Sequence, residues 1–367
     1  MALIRLSLIL AIALLVASCG NSGHTDDGAN IMRHSKLLRM EDRKGYTVAT
    51  VVNAKDTSSA LARYILVPRD AELPDSLPDG ILLRTPLDNV ALFSTVFAGA
   101  FDELGKLSSV KGVVDASYFS QPAIREGLAK GSVADLGAAS SPSLERIAAL
   151  RPQGIILSIY EGMDVKGLDR TGVPLIQMED NLESTPLGRA EWIRFVGALV
   201  GERERADSIF AEVEKEYSAL ARQGSKYKDR PKVLAENMYQ GVWYVPGGAS
   251  YQARMFKDAG AVYPWESDSS TGSLSLSFEE VLVKAKDADF WLLKLYGTKL
   301  DRKALEAMDS RYVYFKAATD GGVYYCDTAT TPLFEEFPFH PERLLRDYIA
   351  IFHPESKYQL RYFRKMQ

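Results

Sequence analysis

Eighteen tyrosines, against four histidines and two cysteines, are the chemically suggestive feature of this 367-residue chain. Tyr118, Tyr160, Tyr251 and Tyr296 fall at the ends of strand-like or helix-like runs, where side chains reach solvent. A phenol offers a flat apolar face and a hydroxyl, which suits stacking on and hydrogen bonding to a large organic ligand. It can also ligate haem iron. A bare-ion site is poorly served, because zinc or manganese needs imidazoles and carboxylates gathered in one place. His24, His34, His340 and His353 lie near the two ends of the chain, away from the loops between. The G-x-S-x-G, H-E-x-x-H, P-loop and G-x-G-x-x-G motifs are absent. Cys326 follows Tyr324-Tyr325 in an apolar run with no histidine near it in sequence, so nothing marks it as a nucleophile. These residues suit binding rather than turnover.

The elements that must hold these residues follow an α/β order. Val90–Phe93 is a short apolar strand running into Ser94-Thr95 and a helical pattern that ends at Gly105. Ser94 or Thr95 is a good N-cap, and a helix N-terminus also welcomes an anionic ligand group. Val110–Asp115 and Gly154–Leu157 read as further strands, with Tyr160 just past the second, the usual place for ligand contacts in an open α/β sheet. Upstream, Tyr46–Val52, Ala62–Val67 and Gly80–Arg84 alternate as strands do. Downstream, Pro231–Glu236 restarts a strand, and Ser277 with Glu280 forms a capping box ahead of a helix and the strand Ala288–Leu293. Asp309–Phe315 and Gly322–Tyr325 are predicted as two more strands.

Between these halves lies Glu202–Gln223. Ala206, Ile209, Phe210, Val213, Tyr217 and Leu220 recur there at helical spacing on an otherwise charged helix. Its 22 residues make a rod of roughly 33 Å. The pattern alone fits a surface helix of one large domain as well as a link between two.

Composition sets the outer bounds. With 46% hydrophobic and 25% charged residues the chain is globular and long enough for two cores. A net charge of −4 without a dense basic tract argues against nucleic acid. Arg5 followed by the apolar run Leu6–Val16 has the layout of a secretory signal, too short to span a bilayer comfortably. Val16-Ala17-Ser18-Cys19 resembles the lipobox of bacterial lipoproteins, which implies acylation of Cys19. The polar run from Gly20 to Asn30 then reads as a tether.

A second resemblance is more specific. Ser143-Leu144-Glu145-Arg146-Ile147, then Arg151-Pro152-Gln153-Gly154-Ile155-Ile156 and Gly172-Val173-Pro174-Leu175-Ile176, resemble the signature of substrate-binding proteins of ABC importers for cobalamin, ferric siderophores and haem. His340-Pro341-Glu342 and the following helical run to His353-Pro354 are similar to that family's closing helix. The similarity covers roughly residues 80–350; Ile31–Asp79 is less typical and reads as an added strand pair. The resemblance implies two Rossmann-like α/β lobes joined by a single long backbone helix (the class III periplasmic-binding-protein fold), with ligand in the cleft.

On that reading the chain divides into a signal (1–18), a tether (19–30), a first lobe (31–185), linker helices (186–224), a second lobe (225–340) and a closing helix with tail (341–367). Ser94, Thr95, Tyr118, Tyr160, Trp243, Tyr244 and Tyr251 become the ligand-contact candidates, the three from Trp243 onward because the family's corresponding loop lies over the cleft. Glu145 and Glu279 sit in the first turns of equivalent small helices, where a carboxylate suits the helix dipole. The resemblance implies that they dock on permease arginines. The expected function is a monomeric, lipid-anchored, periplasmic receptor without a cofactor, delivering an iron chelate (siderophore or haem) to an ABC permease and its ATPase. A cobalamin receptor of the same family, or a non-transport surface lipoprotein on this scaffold, is the alternative; a hydrolase hidden in the cleft would instead show turnover lost on changing one Ser or Asp.

Overall fold

Leu38 and Met40 are buried while the residues between and after them are exposed or half-buried, and this alternation makes an unanticipated strand of the segment just after the tether. The computed structural model describes residues 28–159, 163 and 165–367; Cys19 and Tyr160 lie outside the described residues. Leu38–Arg43 (β1), Tyr46–Asn53 (β2), Asp56–Pro68 (β3) and Ile81–Thr85 (β4) form a four-stranded sheet. It is larger than the strand pair expected from the sequence. β1, β2 and β3 pair antiparallel, and β4 joins β3 in parallel.

The first lobe's main sheet begins with Val90–Leu92 (β5), which leads into helix Thr95–Glu103 (α1). Val110–Val113 (β6) and Pro122–Lys130 (α2) follow, then Ala134–Asp135 (β7) and a small ribbon of Gly137–Ala138 (β8) and Ser141–Pro142 (β9). Next come Leu144–Leu150 (α3), Gly154–Leu157 (β10), Val165–Asp169 (α4) and Leu175–Gln177 (β11). Strand order is β11-β10-β5-β6-β7, all parallel. Order reverses beside β5, so a crevice opens at the carboxyl ends of β5 and its neighbours.

The linker ahead of the long helix is two short helices, Pro186–Ala190 (α5) and Ile193–Val200 (α6). The chain breaks at Glu191, whose fully buried carboxylate accepts the backbone N–H groups of Arg33, His34 and Ser35. Arg203–Gly224 (α7) follows, one residue out of step with the reading from the sequence because Glu202 is its N-cap. Along α7, Ala206, Phe210 and Val213 belong to the first lobe's core, while Tyr217 and Leu220 belong to the second's. One helix is thus shared by two cores.

The second lobe is built from Val233–Ala235 (β12), Met238–Tyr239 (β13), Val242–Pro246 (β14), Tyr251–Asp258 (α8), Ser273–Leu276 (β15), Phe278–Ala285 (α9) and Phe290–Leu295 (β16). Arg302–Met308 (α10), Lys316–Thr319 (α11), Val323–Asp327 (β17), Leu333–Glu336 (α12), Pro341–Phe352 (α13) and Arg364–Lys365 (β18) complete it. β12, β16 and β17 are parallel and β18 closes the edge antiparallel; β13-β14-β15 is a separate antiparallel sheet. The predicted strand Asp309–Phe315 is instead a 3-10 turn, Ser310–Tyr314. The Asp309 carboxylate accepts the Arg311 N–H and curls the chain before it can extend.

Candidate functional site: the inter-lobe cleft

Loops at the carboxyl ends of β6, β16 and β17 meet between the lobes around a cavity of about 280 Å³. The first lobe contributes Ser117, Tyr118, Phe119, Ser120 and Arg125; the second contributes Tyr296, Thr328 to Pro332 and Glu335. Each loop is held by an acid at a strand end. Asp115 adopts a left-handed conformation (φ 48°) that turns the chain out of the sheet, and its carboxylate accepts the Ala139 N–H. Across the cleft, the Asp327 carboxylate accepts the N–H groups of Gly297 and Ala329, tying the Tyr296 loop to the loop after β17.

Tyr118 and Tyr296, 56% and 60% exposed, meet edge to face with ring centroids 5.5 Å apart. Two large exposed rings touching each other rather than a core leave faces free for a planar or apolar guest. Glu335 lines the cavity at 9% exposure and accepts a hydrogen bond from the Ser120 hydroxyl at 3.2 Å. Burial raises its carboxyl above the usual range. Arg125, exposed on the second turn of α2, has no carboxylate partner among the described residues. The cavity therefore offers aromatic faces, hydroxyls, one cation and one reluctant acid.

Of the candidates named from the sequence, Tyr118 lines this cavity. Ser94 caps α1, accepting the Val96 N–H, and Thr95 begins that helix. Trp243 is corrected to a core residue: its ring is fully buried among Trp291, Tyr312 and Phe315, and Nε1 donates to the Ala235 carbonyl. Alternation along β14 puts Trp243 and Val245 inside and leaves Tyr244 outside, 44% exposed. Tyr251 stands at the start of α8 beneath the Arg189 guanidinium, 4.7 Å from the ring centroid, and stacks on Phe337. Glu145 is exposed in the first turn of α3. Glu279 is exposed in the first turn of α9, 3.5 Å from Arg311. Neither touches the cavity lining.

Arg125, Thr328, Thr330 and Glu335 went unnoticed in the sequence, where no local pattern marks them. Among the described residues no three of His, Cys, Asp and Glu gather as a metal site would require. Cys326 is buried in β17, its thiol pushed up to about 12 by burial.

Two α/β lobes sharing one helix, with a lined cavity between their strand ends, define the architecture of a two-lobed solute-binding protein. The chain belongs to the periplasmic binding protein family, whose sequence profile matches residues 90–330. It is 27% identical over 315 residues to an uncharacterized lipoprotein of Methanocaldococcus jannaschii, covering 80% of this chain and 73% of that one. Among solved structures it resembles a periplasmic heme-binding protein from Pseudomonas aeruginosa, with a TM-score of 0.59 at 19% identity over 76% of this chain and 98% of that one. It also resembles an ABC-type Fe3+-hydroxamate transport protein from Saccharomonospora viridis, with a TM-score of 0.58 at 17% identity over 74% and 95% of the two chains. The β1–β4 sheet precedes the matched span.

Proposed function

We propose that this protein captures an iron chelate, haem or a ferric siderophore, in the inter-lobe cavity and delivers it to an ABC permease. The observation that carries the reading is the Tyr118–Tyr296 pair standing across the cavity with Arg125 beside it. Exposed ring faces suit a flat or aromatic chelate, and a guanidinium suits the carboxylates or phenolates such molecules carry. The guest brings its own metal, and transport rests on lobe closure rather than on bond chemistry. Similarity to a lipoprotein supports acylation at Cys19 and a place on the outer side of the membrane. Glu145 and Glu279, one exposed acid per lobe and both clear of the cavity, are the proposed contacts to permease arginines.

Titration of the full chain with haemin, a ferric hydroxamate, a ferric catecholate and cyanocobalamin tests the ligand. Submicromolar binding of one of the first three supports the reading. Binding of cyanocobalamin alone replaces it with a corrinoid receptor, and silence across the panel removes the iron assignment.

A further inference from the structure

The lobes are also joined between α1 and the α12–α13 segment, by close packing and by a cluster of charges. Helix α1 of the first lobe lies on α12 of the second so closely that a Cβ on Gly99 would stand 1.8 Å from the Glu335 carbonyl oxygen. Three residues after α12, Phe339 is 1% exposed and packs into the first lobe's core. At the end of α1 the Glu103 carboxylate lies 3.1 Å from His340 Nε2, off the line of a hydrogen bond, and 3.5 Å from Arg343 Nη1. His340 Nδ1 is 2.9 Å from Glu342, whose other oxygen is buried without a partner.

We propose that Glu103, His340 and Arg343 form an inter-lobe clasp that, together with α7, restricts how the cleft opens. Beside the helical link, a further fixed point at the far end of α1 narrows the directions in which one lobe can turn against the other. Glu103 is also steadied from α7, where Arg205 Nε donates to its carbonyl at 2.7 Å. Glu335, the acid that lines the cavity, lies on the same seam.

Other charges face the clasp. Glu212 and Glu216 of α7 line the adjoining groove, with Glu216 paired to Arg346 at 3.1 Å, and Glu336 of α12 lies 3.3 Å from Arg343. Burial opposes charge on His340, but the Glu103 and Glu342 carboxylates outweigh it and raise the imidazole to about 9. His340 in turn holds Glu103 below its ordinary range. A raised histidine contributes fully below its unfolded value of 6.5 and loses that contribution as pH climbs through about 9. A lowered glutamate contributes above 4.5 and loses it as pH falls through the depressed value. The clasp is strongest near neutral pH and weakens in alkali, where Glu103 keeps Arg343 alone as its cationic partner.

Spin labels on Lys130→Cys and Lys303→Cys, both exposed and one per lobe, read the separation in the full chain carrying Cys19→Ser. Without ligand at pH 7.5 the distance distribution should be narrow. Glu103→Gln at pH 7.5, or the otherwise unchanged chain at pH 10, should raise the longer-distance population roughly tenfold. Adding His340→Gln to Glu103→Gln should do no more than Glu103→Gln alone, since the His340 contact is already lost. His340→Gln alone should give the same distribution at both pH values. Distributions indifferent to Glu103→Gln and to alkali, or an alkaline change that persists in His340→Gln, overturn the clasp. Should Glu103→Gln fail to fold, the pH series with and without His340→Gln decides.

Discussion

Tyr118 and Tyr296 are exposed and spend little of their ring surface on the fold, so their removal should be felt by a guest rather than by the protein. Tyr118→Ala and Tyr296→Ala should each weaken binding of the proposed chelate by about 1 kcal/mol, the worth of one aromatic contact. Thermal midpoints should barely move, and calorimetric titration beside a melting curve checks both. Glu179, at the end of β11, behaves oppositely: it is 8% exposed, and burial and the Asp180 charge raise it to about 7. A raised carboxyl favours the folded state below pH 4.5 and loses that advantage as pH climbs through about 7. Glu179→Gln should therefore flatten this part of the stability profile and gain roughly 2–3 kcal/mol at pH 8, read by urea unfolding across pH.

At the scale of elements, α7 was legible because a three-then-four spacing over 22 residues outweighs every local ambiguity. Its ownership by two cores was not, since Val213 and Tyr217 look alike in a sequence and differ only in which lobe folds over them. The burial of Trp243 was not legible either, because β14 reads Val-Trp-Tyr-Val-Pro with no polar position to mark its outer face. Nor were Arg125 and Glu335, because they lie far apart in sequence and converge only through tertiary structure. The strand expected at Asp309–Phe315 failed where a capping aspartate competed with extended backbone. Lys215 is exposed midway between the two buried halves of α7. Lys215→Pro should cost about 3 kcal/mol or more and split one calorimetric transition into two, one per lobe. Gly99→Ala should push α1 off α12 and lower stability by about 1–3 kcal/mol, as overpacking does.

Across the whole molecule the exposed acids Glu145 and Glu279 stand apart from the cavity, so the docking role proposed for them can be tested apart from ligand binding. Charge reversal at both, Glu145→Lys with Glu279→Lys, should reduce uptake by about tenfold in cells while leaving the dissociation constant of the purified protein unchanged. Loss of affinity would instead assign these residues to the site.

One fixture near the amino end bears on mechanics. The N–H groups of Arg33, His34 and Ser35 converge on Glu191, and those of Lys36 and Leu37 on Glu183; both carboxylates are sealed from solvent beside the linker helices. Tension applied to the chain ahead of Asn30 would meet the Asn30 and Ile31 bonds to β1 and then these carboxylates before it reached a strand of the cleft-bearing sheets. A receptor tugged from its leading end would thus pass the strain to its rigid spine and leave the jaws undisturbed.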